Sequence, residues 1–439
     1  SERRPIFSVM GKKRKTAKAP KVLPYSAEVE VPVVRIGLIE QARDIRLKSA
    51  GRFAVVQKKS GGELGWIETE TELEFKPGKA GSIELSSDNF KAVSAESLVL
   101  KQRDAGSTFL VYDVDANPGT FYAKVEDRSY RGNMEIILNG GALTVVNVVN
   151  FEEALYGIVP AEIGGAAPLE AQKAQAVVAR NYIIKHLKKH AKMGYDICDS
   201  VHCEAYNGVR SENKAINLAV DTTRGIVLMH GTKPVNAFFF STCGGHTRNI
   251  EDVWQGSDTD ESLKGIYDGP EEIEFPLAPA ALERWIVGSP AVYCNIGSGR
   301  DRGEFRWMRR VSRTRMEEAG KGISGGLVDA SVKTRDVSGY VRSAVRTDSM
   351  GASEIVKERA RNFFMGLRSN LFMLHKVRGA GGELHEFVVF GGGWGHGVGL
   401  CQMGAIGMAR KGISYDAILN HYFLNSTLSM TYPAIGGAR

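Results

Sequence analysis

Between residues 26 and 148, apolar and polar positions alternate in short runs at 28–39, 52–58, 64–75, 108–114 and 134–149. A period of two over so few residues is the signature of half-buried strands. Turn formers separate the runs at Ser60-Gly61-Gly62, Pro77-Gly78, Asn117-Pro118-Gly119 and Asn139-Gly140-Gly141, which predicts an all-β accessory region. At Phe151 the texture changes. Pro168 followed by 169–192 predicts one long helix, with proline in its first turn, Ala and Leu in its interior and four lysines toward its carboxyl end. The face Gln172, Ala176, Arg180, Ile183, Leu187 is apolar except for one amide and one guanidinium. A buried Gln or Arg needs partners, so this face is expected against a polar cavity. Further helices are predicted at 212–222, at 402–410 ending near Gly412, and from a Ser414 cap through Tyr422; strands are predicted at 225–230, 235–241, 327–333 and 340–347. Residues 277–293 follow no clean period, and no internal repeat is visible. The expected fold class is α+β: a β-rich region at 26–148, then a helix-bearing region at 149–432 with a β-rich subdomain at about 300–390.

Charge sharpens this picture at one end only. The 439 residues carry a formal net charge of +7, which by itself suggests an anionic partner. Residues 1–22 hold eight Lys/Arg against Glu2 alone, and the remaining chain balances 49 basic against 49 acidic side chains. The basicity therefore belongs to a tail (1–25) without apolar periodicity, which is expected to be disordered. A solvated leader is its plainest reading; attachment to an anionic polymer or membrane surface is the sharper one, and the neutral body argues against nucleic acid. No run of 18 apolar residues exists, so no spanning helix is expected. The start at Ser1 without Met fits a processed, exported protein. Five cysteines, Cys198, Cys203, Cys243, Cys294 and Cys401, are too few for a disulfide scaffold and odd in number.

Four segments carry candidate chemistry. Residues 390–403, FGGGWGHGVGLCQM, interleave six glycines with Trp394, His396, Cys401 and Gln402. Such a run is costly to order and is expected where the backbone takes positive φ or approaches something closely. The side chains between the glycines are a stacking surface, a titratable ring and an amide, the parts of a polar-substrate cleft. In Tyr156-Gly-Ile-Val-Pro-Ala-Glu-Ile, Glu162 lies among Ile158, Val159, Ile163 and Ala166. A carboxyl there loses hydration and can hold a proton at neutral pH, as a general acid must; the bland alternative is a glutamate satisfied by backbone amides ahead of a helix. Cys198, His202 and Cys203 offer thiolate and imidazole ligands within one loop, with His186 or His190 as a fourth, a set that suits structural zinc; a Cys198–Cys203 disulfide is the alternative. Finally, Phe240-Ser-Thr-Cys-Gly-Gly-His-Thr-Arg-Asn places Ser241 and His246 beside a Gly-Gly turn, where substrate hydrogen bonding is preferred over a nucleophilic triad.

Together these segments resemble the stage II sporulation protein D family (SpoIID/LytB type). The resemblance also takes in the Ala-Gln-Lys-Ala-Gln-Ala-Val-Val-Ala-Arg stretch (171–180), Asp252–Trp254, Phe305-Arg306-Trp307, Ser338-Gly339 and Arg368-Ser369-Asn370, in family order across about 150–430. It implies an exported peptidoglycan lytic transglycosylase acting on glycan stripped of stem peptides, with Glu162 as catalytic acid/base. The residues themselves suggest substrate contacts from Gln172, Arg180, Tyr182, Ser241, His246, Trp394, His396 and Gln402, with no cofactor needed for the chemistry; the resemblance implies a structural zinc at Cys198, His202 and Cys203, which some members lack. The implied partners are glycan strands and an amidase that removes stem peptides, with no nucleic acid and no transmembrane segment. Cys243 departs from the serine many members carry there, and its role stays open. A non-catalytic glycan-binding module that stimulates an amidase, and a zinc-dependent wall hydrolase, are the rival readings.

Overall fold

The computed structural model describes residues 32–116, 123–200, 202–271, 273–297, 300–320, 323 and 325–430. The basic tail and the Asn117-Pro118-Gly119 turn lie outside the described residues. The fold is α+β. Two antiparallel-rich sheets open the chain, and their alternating burial puts one face of each into a shared core. One runs in the order Ile197–Cys198, Val33–Ala42, Ala142–Asn150, Asn133–Asn139, Leu98–Gln102, Phe53–Gln57, Glu63–Ile67; the other runs Lys124–Tyr130, Phe109–Ala116, Ile45–Ser49, Leu73–Pro77, Ile83–Ser86, Lys91–Ser94. Phe53 of the first meets Phe109 of the second edge-on at 5.1 Å, and both are fully buried, a contact that contributes beyond simple area burial.

The region is richer in strands than the alternation suggests. The runs at 64–75 and 134–149 each contain two strands, the latter a hairpin that turns at Gly140-Gly141 with both glycines at positive φ. Short strands at Ile45–Ser49, Ile83–Ser86, Lys91–Ser94, Leu98–Gln102 and Lys124–Tyr130 complete the sheets; most are too short for a period of two to stand out.

The helices α1 (Phe151–Ile163), α2 (Leu169–His186) and α3 (Lys214–Thr222) pack against this sandwich. Asn150 caps α1 by accepting from the amides of Glu152 and Glu153. The Tyr156–Glu162 segment, to which the sequence pattern assigned no element, is helical, with Pro160 inside α1 and Glu162 in its last turn. One expectation needs correction here: α2 stops at His186, six residues short of Lys192. Lys188 takes φ of +67° and a short 3-10 turn at Ala191–Met193 reverses the chain, returning residues 195–199 to the edge of the sandwich. Residues 235–241 form a strand only at Phe239–Phe240, and the aperiodic 277–293 stretch contains the helix Pro279–Val287. Two three-stranded sheets, Arg306–Ser312/Leu384–Gly392/Phe372–Arg378 and Leu327–Arg335/Val341–Asp348/Gly351–Val356, enclose a second core around Met316, Phe364, Phe372 and Phe387. No described helix is long and apolar enough to cross a membrane.

Candidate functional site

Glu162 closes α1, whose neighbours Ile158, Val159 and Ile163 are buried. Its side chain keeps some exposure at the residue level, yet its carboxyl has little water around it. That desolvation pushes its pKa up to about 7, against the lowering effect of the Ala205 amide, which donates to Oε1 at 2.6 Å. Beside it, Glu204 is fully buried, and neither of its carboxyl oxygens has a hydrogen-bond partner among the described residues. Burial first, then the charge of Glu162, pushes its pKa well above the carboxylate range. A neutral Glu204 next to a poised Glu162 is the economical state of such a pair. Glu204 stands within the Cys/His segment but carried no sequence signal beyond its proximity to Cys203.

The loop after α2 delivers a metal-ligand set. His190 Nε2 lies 3.3 Å from Cys203 Sγ, and His202 Nδ1 lies 3.5 Å from Cys198 Sγ and 3.6 Å from Cys203 Sγ. One ligand atom from each of the four falls within 4.8 Å of the others, a set that fits a tetrahedral Cys₂His₂ zinc with no open position. Hydrogen bonding from Cys203, ahead of Ser200 and His202, drives the Cys198 thiol down, while the same coupling drives Cys203 up. Both cysteines are free thiols, not a disulfide. His190, not His186, joins them: His186 stacks on Tyr182 with ring centroids 4.0 Å apart, and its Nδ1 bonds the Tyr182 carbonyl.

The sandwich holds this loop in place. Ile197 and Cys198 pair in parallel with Ile36 and Gly37, the Asp199 amide donates to the Gly37 carbonyl at 3.1 Å, and the Asp196 amide to that of Arg35 at 2.8 Å. Tyr195 lies over Gly37 so closely that a Cβ there would stand 2.7 Å from its ring, and the other end of the contact is His190, stacked on Tyr195 at 5.0 Å. The β-rich region is thus a support for the ligand loop.

Tyr182 completes this neighbourhood. It is buried, and its hydroxyl titrates far above the ordinary range through burial first and then the nearby Cys203, Glu204, Cys198 and Glu162. On the same helix Gln172 donates to the Gly165 carbonyl at 3.3 Å, and Gln402 reaches across to Gln175 Oε1 at 3.3 Å. Gln172 Oε1 and Gln175 Nε2 are buried without a partner among the described residues. Gln175 was legible as the amide one turn beyond Gln172.

Arg180 requires a correction. It is fully buried, grips Glu152 with two bonds of 3.0 and 2.8 Å and donates to the Ile226 carbonyl at 2.9 Å. The partner that a buried guanidinium demands is therefore a carboxylate in the core, not a sugar. His246 is likewise withdrawn: its Nδ1 bonds the Thr247 carbonyl, its ring packs on Phe275 at 4.3 Å, and burial pushes its pKa down to about 4.

In the glycine loop, Gly393, Gly395, Gly397 and Gly399 all have positive φ. The close approach is to protein: a Cβ on Gly395 would lie 2.7 Å from Phe240 Cβ, and one on Gly399 would lie 2.1 Å from the Phe238 carbonyl oxygen. His396 is fully engaged, Nε2 donating to the Phe239 carbonyl at 2.9 Å and Nδ1 accepting from the Val398 amide at 3.1 Å. Burial pushes it down to about 3, so it is a neutral structural ring. Ser241 donates to Glu304 at 2.9 Å. Trp394 bridges to Thr242 and carries Arg368 over its face at 4.9 Å; both line an open groove of about 720 Å³ with Trp307, Arg306, Arg309 and Arg361.

Residues 139–230, which contain Glu162 and the whole Cys/His loop, match the stage II sporulation protein (SpoIID) family. That segment is a SpoIID-family domain. Residues 248–399 match a second domain, a domain of unknown function (DUF8618). The chain is 28% identical over 303 residues to an uncharacterized protein of Brachyspira hyodysenteriae, covering 67% of this chain and 70% of that one. It is 25% identical to the stage II sporulation protein D of Bacillus subtilis over 65% of this chain and 76% of the relative, and 25% identical to the amidase enhancer of Bacillus subtilis over 63% of this chain and 40% of the relative. The SpoIID match begins inside the sandwich, at the hairpin that leads into α1.

Proposed function

We propose that this chain is an exported lytic transglycosylase that cleaves the MurNAc–GlcNAc bond of peptide-stripped peptidoglycan, with Glu162 as the general acid/base. The observation that carries this reading is the desolvated Glu162 carboxyl, raised to about 7 and fixed by the Ala205 amide, which keeps a proton available at neutral pH. The protonated carboxyl gives its proton to the leaving GlcNAc oxygen as the C1–O bond breaks. The muramic 6-hydroxyl then closes on C1 and returns its proton to the Glu162 carboxylate. Bonds and protons balance without water, and one carboxyl serves both steps, where a hydrolase pairs two. Glu204, neutral, adds no second charge, and Tyr182 and the Gln172/Gln175/Gln402 amides supply hydrogen bonds to the sugars. In this reading zinc at His190, Cys198, His202 and Cys203 has a structural role, fastening the segment that carries Glu204 and Ala205.

Replacing Glu162 by Gln tests the proposal. Release of anhydro-muramyl products from peptide-free glycan is expected to vanish with the circular dichroism spectrum unchanged; full activity in this variant refutes the assignment. The similarity to an amidase enhancer favours a second reading, in which the same cleft binds glycan and stimulates an amidase without cutting. Under that reading the wild-type chain retains glycan and releases no product.

A further inference from the structure

We propose that Cys243, Cys294, Cys401 and Asp268 form a second zinc site, structural and separate from the Cys/His loop, that clamps the glycine loop to the 241–247 segment. The four come from four separate stretches of chain, yet their ligand atoms all lie within 4.8 Å of one another. Cys243 Sγ stands 3.5 Å from Cys294 Sγ and 3.2 Å from Asp268 Oδ2. A tetrahedral zinc with Zn–S bonds of ~2.3 Å asks for sulfurs somewhat under 4 Å apart, so the set needs little rearrangement to close on an ion.

Four further features are those of a metal–thiolate centre. Backbone amides point at the sulfurs: Cys243 N–H donates to Cys401 Sγ at 3.2 Å, Gly245 N–H to Cys243 Sγ at 3.3 Å and Gly404 N–H to Cys401 Sγ at 3.4 Å. Such bonds favour sulfur that carries charge. All four side chains are at most 1% exposed, or flatly inaccessible, and a buried carboxylate among thiols is costly without a cation. Asp268 is also oriented from behind, accepting from Tyr422 Oη at 2.6 Å and from the Cys294 amide at 3.3 Å, with His421 Nε2 3.6 Å away; metal-bound carboxylates are held in this way. Lastly, Arg306 lies within electrostatic range of Cys243 and Cys294. It donates to the carbonyls of Gly244, Trp285, Gly288 and Phe305, and no ion pair with a carboxylate is found for it among the described residues. A cation so placed suits the net negative charge of three thiolates, one carboxylate and a divalent ion. A Cys243–Cys294 disulfide would leave Cys401 and Asp268 unexplained.

Zinc content of the full chain, purified without chelator, is the test. Wild type is expected to hold two ions per chain, the Cys198→Ser/Cys203→Ser variant one, and Cys294→Ser one. Substitution of cobalt in the Cys198→Ser/Cys203→Ser variant is expected to give thiolate-to-cobalt charge-transfer absorption. A folded Cys198→Ser/Cys203→Ser variant without metal overturns the proposal, as does a Cys243–Cys294 disulfide found by non-reducing peptide mass spectrometry of the wild type. If the double variant does not fold, the wild type and Cys294→Ser decide: equal zinc content in the two overturns it. None of these readouts uses glycan cleavage, so their failure leaves the Glu162 reading untouched.

Discussion

Glu162 concentrates the residue-scale physics. Its carboxyl is raised from 4.5 to about 7 by desolvation, so the sign of its linkage is fixed. Its contribution to stability is complete below about pH 4.5 and is lost as pH rises through about 7, where the folded state must charge a poorly solvated group; this costs up to ~3 kcal/mol. Glu162→Gln is neutral throughout. It should therefore match wild type in urea unfolding at pH 4 and exceed it at pH 8, and equal stability at pH 8 would show that the carboxyl is not desolvated. Cleavage by the wild type should fall as pH rises through about 7, because the leaving group needs the protonated form. Arg180 separates folding from function at the same scale. Breaking its buried pair with Glu152 by Arg180→Met should cost ~3–5 kcal/mol and leave KM for glycan unchanged in the folded protein. A raised KM at unchanged stability would return Arg180 to the substrate.

At the scale of elements, the ligand loop and the glycine loop each depend on a neighbouring strand. His190→Ala should lower the zinc content by one ion per chain and His186→Ala should not; elemental analysis distinguishes them, and the reverse pattern would contradict the ligand set. Gly395→Ala meets Phe240 Cβ at 2.7 Å in a backbone with φ of +116°, and is expected to destabilise by ~1–3 kcal/mol in thermal unfolding. What could be read beforehand follows from the range of the interactions. The helix at Gln402–Arg410 was legible to the residue, because its cap and stop are local. The glycine loop was legible as a close-approach segment, but not what it approaches, since the Phe238 and Phe240 contacts link residues some 160 apart in sequence. The unpaired demand of Arg180 was visible on its helix face; Glu152 as its answer was not, because nothing local marks a partner on α1. Glu204, next to Cys203, and Gln175, inside the 171–180 stretch, joined the candidate site only when α1, α2 and the Cys/His loop converged.

Over the whole molecule, the sandwich and the second β region are each tied to a segment of the candidate site. Two buried joints hold them. At one, the parallel pairing of Ile36–Gly37 with Ile197–Cys198 ties the sandwich to the ligand loop. At the other, Arg248 joins Asp336 at 2.7 Å and Glu358 at 3.0 Å in the second core to the His396 carbonyl of the glycine loop. Hydrogen exchange should therefore find the Asp196 and Asp199 amides, bonded to Arg35 and Gly37, as slow as the sandwich strands; rapid exchange there would mean the loop opens independently. The central claim concerns what Glu162 does to a glycan strand. Mass spectrometry of the products formed by the wild-type chain from peptide-free peptidoglycan glycan tests it most directly: 1,6-anhydro-muramyl ends are the expected result, and reducing ends, or no products at all, would contradict it.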